Sequence, residues 1–137
     1  MEDRIQRALS ALAPVSGVVT RMGSAAVNDP DVMKSVLGEL RRRDLPFLDA
    51  HGPGPSVVEE IGEHLGARTA TVGGSLDGAT AASVKTKLPA IVESAIQRGV
   101  IIISIRANGA VLTALEAERS GLAARGVEMV PVTSLIL

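Results

Sequence analysis

Gly99-Val100-Ile101-Ile102-Ile103-Ser104-Ile105-Arg106-Ala107-Asn108-Gly109 is the stretch on which the reading of the fold turns. Val100 to Ile105 is an apolar, mostly β-branched run opened by a glycine. That composition suits a strand covered on both faces, as in a parallel sheet. Arg106 and Asn108 follow where the chain leaves the strand. In parallel α/β architectures, open or closed into a barrel, ligands bind at this carboxyl end. One stretch thus predicts a core element and, directly after it, a site.

The neighbouring segments repeat the same alternation. Upstream, Thr80 to Arg98 predicts a long helix with Val84, Leu88, Ile91, Val92, Ala95 and Ile96 inward. Before it come a strand at 68–72 and a Gly73-Gly74-Ser75-Leu76-Asp77-Gly78 loop. Downstream, a helix over about 110–125 leads to a last strand at 127–132. Arg98-Gly99-Val100 and Arg125-Gly126-Val127 are the same helix-to-strand turn. Toward the amino end, 2–13 predicts a helix with Ile5, Ala8, Leu9 and Leu12 on one stripe, then a strand at 15–20 and a loop at 21–26. Asn28 or Asp29 caps the next helix, with Pro30 in its first turn, Val32, Met33, Val36, Leu37 and Leu40 inward, and Arg41-Arg42-Arg43 at its end. A strand at 46–49 and a Gly-Pro loop at 51–55 lead to Ser56-x-x-Glu59, which has the form of a capping box. Helix and strand alternate five times. The expectation is an α/β fold with a five-strand parallel sheet and right-handed crossovers, in a single domain over 1–137. Periodicity fits an open sandwich and a barrel segment equally.

Composition narrows the function classes. The chain of 137 residues is 46% hydrophobic, but no apolar run approaches the ~20 residues of a membrane span. A net charge of −1 gives no electrostatic case for nucleic acid or an anionic membrane surface. With no Cys there are no disulfides, thiol nucleophiles or Cys-ligated metals. Phe47 is the only aromatic residue, so the chain lacks the ring platforms on which sugar-binding surfaces usually rest. No signal-peptide pattern follows Met1. A complete chain would therefore be cytoplasmic, and one whose leader had been removed periplasmic or envelope-bound.

From Val19 to Ser134 a series of short motifs resembles the divergent polysaccharide deacetylase family, a branch of the NodB-like deacetylases. Thr20-Arg21-Met22-Gly23-Ser24 is similar to that family's Asn-His-Met-Gly-Ser, and Leu45-Pro46-Phe47-Leu48-Asp49-Ala50 to its Leu-x-Phe-Leu-Asp-Ser. Leu76-Asp77-Gly78 resembles its Phe-Leu-Asp-Asn without the Phe, and Ile103 to Ala110 its Ile-Gly-His-Pro-x-Pro-Ala. Arg125 to Leu135 is similar to its Gly-Ile-x-Leu-Val-Pro-Val-Ser-x-Leu. The resemblance implies part of a (β/α) barrel, a carboxyl-terminal half without the Asp-Asp pair. It also implies a divalent metal such as Zn and an exported protein of carbohydrate metabolism. Two departures stand against activity. The family's motif histidines fall on Arg21 and Arg106, and a guanidinium neither ligates a divalent cation nor acts as a base near neutral pH.

Asp49, His51 and Asp77 remain as candidate catalytic groups, and the donor set predicts no metal site. His64, in a helix beside Glu63, reads as solvated, and Ser24 and Ser104 have no His partner that the sequence places. Arg21 and Arg106, with the Met22-Gly23-Ser24 amides and Asn108, form a candidate ligand-binding set suited to a carboxylate or phosphate. The expected function is a degenerate, non-catalytic deacetylase-like domain, a pseudoenzyme with a binding or assembly role. The alternatives are part of an active deacetylase completed by another chain or half, and a small-anion-binding module. Expected partners are a second copy or a second chain completing the barrel, with a small anion or glycan as ligand.

Overall fold

Three helices with apolar residues on one stripe decide how the first part of the chain packs. Helix α1 (Glu2–Leu12) buries Leu9, α3 (Pro30–Arg42) buries Met33, Leu37 and Leu40, and α4 (Val58–Leu65) buries Val58 and Ile61. These side chains join Val27 and Phe47 in one core. They cover a parallel sheet ordered β1 (Val18–Val19), β2 (Phe47–Asp49), β3 (Thr69–Thr71). Val18 pairs with Phe47, and Phe47 with Thr69. The computed structural model describes residues 1–136. Its chain divides into two units, the first holding Met1–Thr71 and the segment from Val132, the second Val72–Pro131.

Local signals in the first unit act as expected at α3. Asp29 is its N-cap, with the carboxylate accepting from the Asp31 and Val32 amides at 2.9 and 3.1 Å, and Pro30 opens the helix. The arginine run does more than meet the helix dipole. Glu39, one turn earlier and only 2% exposed, accepts from Arg42 at 2.5 and 3.0 Å and from Arg43 at 2.8 Å. Gln6 of α1 reaches the same carboxylate at 3.5 Å, and Arg42 also lies 3.8 Å from Glu2, so the cluster ties α1 to α3. The hydrogen bonds of Arg43 and then Arg42 hold the Glu39 carboxyl down at about 2, against the upward pull of burial.

The second unit is built from β4 (Gly74–Ser75), α5 (Ala81–Arg98), β5 (Ile103–Ser104) and α6 (Gly109–Ala124). Strands β4 and β5 are parallel, pairing Gly74 with Ile103 and Ser75 with Ser104. Its core is Leu76, Val84, Leu88, Val92, Val111 and Leu122. Thr80 caps α5 with a reciprocal Thr80–Ser83 box.

The α/β class and the parallel pairing agree with the sequence reading. The five-strand sheet does not: the described residues form a three-strand sheet and a two-strand sheet. Of the apolar run, only Ile103–Ser104 is strand, and Ile101 to Ile105 are half-buried where two covered faces were expected. Residues 127–131 form no strand, and Val132–Ser134 is a 3-10 turn. Val127 packs against the second core with its amide on the Leu122 carbonyl, while Glu128 to Pro131 are exposed. The extra strand β4 lies in the stretch expected to be a loop. Ser24 likewise begins a four-residue helix, α2 (Ser24–Val27), where a loop was expected.

Candidate functional site

The carboxyl ends of β1 and β2 gather a polar cluster around one buried carboxylate. Asp49, the last residue of β2, has no exposed surface. Its Oδ1 accepts from His51 Nδ1 at 2.7 Å, the His51 amide at 3.1 Å and the Thr20 hydroxyl at 3.1 Å. Its Oδ2 accepts from the Ser56 hydroxyl at 2.7 Å. Burial pushes the Asp49 carboxyl up, but the hydrogen bonds from Ser56 and His51 outweigh it and hold the group below the usual carboxylate range.

Each partner is committed to more than one bond. Thr20 follows β1, and its oxygen accepts from the Ala50 amide at 3.2 Å while its proton faces Asp49 and the Leu48 carbonyl. The His51 side chain is 4% exposed, and Nε2 lies 3.3 Å from the Gly54 carbonyl. The ring thus spans the loop after β2, with an oxygen acceptor at each nitrogen. Ser56 does not form the expected capping box. Helix α4 starts with Val57 as N-cap and no side-chain cap, and the Ser56 oxygen takes the Val58 amide while its proton goes to Asp49. Donation to Asp49 leaves the Ser56 oxygen able to accept, and it takes the amide two residues on, where a capping box would take that of Glu59.

The ligand-binding candidates of this unit sit beside the cluster. Arg21 is exposed, and no hydrogen bond or ion pair ties it to another described residue. Met22 is 91% exposed with φ +53°, and Gly23 is held so close to Thr20 that a Cβ there would lie 2.8 Å from the Thr20 methyl. No local pattern marks Thr20 and Ser56 as partners of Asp49. Their hydroxyls are 29 and 7 residues away in the chain, and only the β1–β2 register and the loop path bring them in.

Asp77 belongs to the second unit, as do Arg106 and Asn108. The exposed Asp77 carboxylate lies 3.3 Å from the Ser104 hydroxyl, which is also 3.0 Å from Ser75 Oγ, and the Asp77 amide donates to Ser75 Oγ at 3.0 Å. Asn108 is the N-cap of α6, its side-chain oxygen accepting from the Val111 amide at 3.0 Å. Arg106 is exposed and, like Arg21, unpaired among the described residues. His64 is exposed on α4. The structure therefore brings Asp49 and His51 together and gives Asn108 a structural task.

The family model for divergent polysaccharide deacetylases matches residues 1–136. The chain belongs to that family. A curated relative, an uncharacterized protein of Haemophilus influenzae, is 33% identical over 69 residues, which is 50% of this chain and 25% of the relative. A crystal structure of an uncharacterized protein from Agrobacterium tumefaciens C58 has the same fold, with a TM-score of 0.81 at 24% identity. That match covers 98% of this chain and 56% of the Agrobacterium chain. The chain thus spans a quarter of the one and little more than half of the other.

A divalent ion of the kind the deacetylase resemblance implies needs about three protein ligands and an open position. Asp49 and His51 are bonded to each other, and the remaining Asp49 oxygen is taken by Ser56. No group of three or more His, Cys, Asp or Glu side chains among the described residues is arranged to hold a metal ion. These residues do not fit such an ion.

Proposed function

We propose that this chain is a degenerate deacetylase-like domain that performs no turnover on its own and serves in binding or assembly in carbohydrate or envelope metabolism. The burial of Asp49 carries the reading. A carboxylate with no exposed surface and a nearly enclosed imidazole locked onto it present no free atom to a substrate carbonyl or to water. By the motif resemblance, Arg21 and Arg106 stand where relatives have histidine, which supports the same reading. Membership of the family supports its finer form, one domain over 1–137 that is part of a NodB-like barrel, and so does the span of 56% of the Agrobacterium chain. The same partial span leaves room for a second polypeptide that completes the barrel.

The test is acetate release from N-acetylglucosamine oligomers by the full chain with added zinc. No release above the metal-only control is expected. Multiple turnovers would overturn the proposal, and if they vanish in Asp49→Asn they would also make Asp49 a catalytic group.

A second reading, small-anion binding, is favoured by the exposed and unpaired state of Arg21 and Arg106. An exposed guanidinium with no carboxylate partner is available for bidentate bonds to phosphate or carboxylate. Phosphate titrated by calorimetry should give a heat that is lost in Arg21→Gln/Arg106→Gln. Unchanged binding in the double variant removes this reading.

A further inference from the structure

Helix α6 carries an exposed leucine beside the face that it buries. Val111 and Leu122 are buried, and Ala114 and Leu115 pack on the same core. The stripe that flanks this face, about 100° round the helix from it, carries Leu112, 50% exposed, followed by Glu116, Arg119 and Ala123 at helical spacing, all exposed. Met129, 41% exposed, lines an open groove of about 710 Å³ with Leu112, Leu115 and Ala117. Leu112 and Met129 thus carry the apolar surface of this unit past its own core and out to solvent.

The order of residues along the stripe says what covers it. Leu112, Glu116, Arg119 and Ala123 read in reverse as small, basic, acidic, large. When two such helices cross antiparallel near Ala117, Glu116 of each copy faces Arg119 of the other, and each Leu112 lies over the other's Ala123. Within one chain, Glu116 and Arg119 make only an exposed 3.4 Å pair, so both are available to exchange partners. A two-fold interface demands this self-complementarity, and a net charge of −1 opposes association little. We propose that the outer face of α6 is an isologous contact between two copies of this chain. The proposal rests on the assembly reading above but is tested apart from it, because molecular mass is independent of acetate release.

The experiment is sedimentation equilibrium of the full chain and four variants, with circular dichroism to confirm that each is folded. The wild-type chain should reach twice its 14.1 kDa mass at micromolar to submillimolar concentration. Leu112→Asp should weaken the dimer by about tenfold or more. Glu116→Arg and Arg119→Glu should each weaken it by placing like charges opposite one another, and the double variant Glu116→Arg/Arg119→Glu should recover it. Recovery in the double variant is a signature that loss of a purely intrahelical pair would not give, since that pair has no effect on mass. A wild-type chain that stays monomeric throughout overturns the proposal and leaves the face to a different polypeptide. A dimer indifferent to Leu112→Asp and to both single charge reversals overturns it too, by placing the contact elsewhere.

Discussion

Both units end a pair of parallel strands beside an aspartate and neighbouring hydroxyls, yet the two aspartates live in opposite surroundings. Asp49 has no exposed surface and receives four hydrogen bonds, from Thr20, Ser56 and twice from His51. Asp77 is exposed, and the one hydroxyl near its carboxylate, at 3.3 Å, is also shared with Ser75. Similar residue types at similar places therefore take different roles. In the first unit, the segments that follow β1 and β2 supply the partners, and the buried carboxylate fastens them together. In the second, water competes for it.

The largest expected effect separates the two aspartates directly. Asp49→Ala removes the buried acceptor shared by Ser56, Thr20 and His51 and should cost about 3 kcal/mol of stability in urea unfolding. Asp77→Ala, at an exposed site, should stay within about 0.5 kcal/mol. Equal losses would break the contrast.

Acid should act through the same cluster and through Glu39. Both carboxyls are held below their ordinary values in the folded chain, Glu39 at about 2. As pH falls, the unfolded chain therefore binds more protons than the folded one, so stability declines with pH. The contribution is complete above about pH 5 and is lost as pH falls through the lowered folded values, for Glu39 toward about 2. The urea midpoint should fall across that window, and Glu39→Gln or Asp49→Asn should each flatten the fall. A slope that neither substitution alters would count against the assigned hydrogen bonds.

The smallest expected effect sharpens the comparison at the hydroxyls. Ser56→Ala removes a 2.7 Å bond to a buried carboxylate and should cost about 1.5 kcal/mol. Ser104→Ala should cost less than about 0.5 kcal/mol by the same measurement.

The longer helices were legible in the sequence because each carries its apolar stripe within a few turns, and at α3 the Asp29-Pro30 start signal as well; the four-residue α2 has no room for a stripe and reads as loop. Strands were over-read because β-branched content signals a preference, and only a partner makes a strand. The isoleucine run 101–105 keeps two residues in a ladder, and 127–131 keeps none. Strand β4 was illegible for the opposite reason. Gly-Gly-Ser reads as a turn, yet a Cβ at Gly73 would come within 3.0 Å of Ile101, so the bare backbone is what lets the chain approach β5. At the site, Asp49 and His51 could be read from their place after a strand. Thr20 could not, since its role depends on a pairing between β1 and β2 that no local pattern announces.

Gly62 shows how narrowly one seam of the first unit is drawn. It is buried on α4, and a single methyl group there would fall 2.7 Å from both the Cγ2 and the Oγ1 of Thr69 on β3. Helix and strand thus touch with a hydrogen atom as the only spacer. Any bulk gained on the helix must be surrendered by the strand, so positions 62 and 69 share one fixed allowance of volume and are free to vary only together.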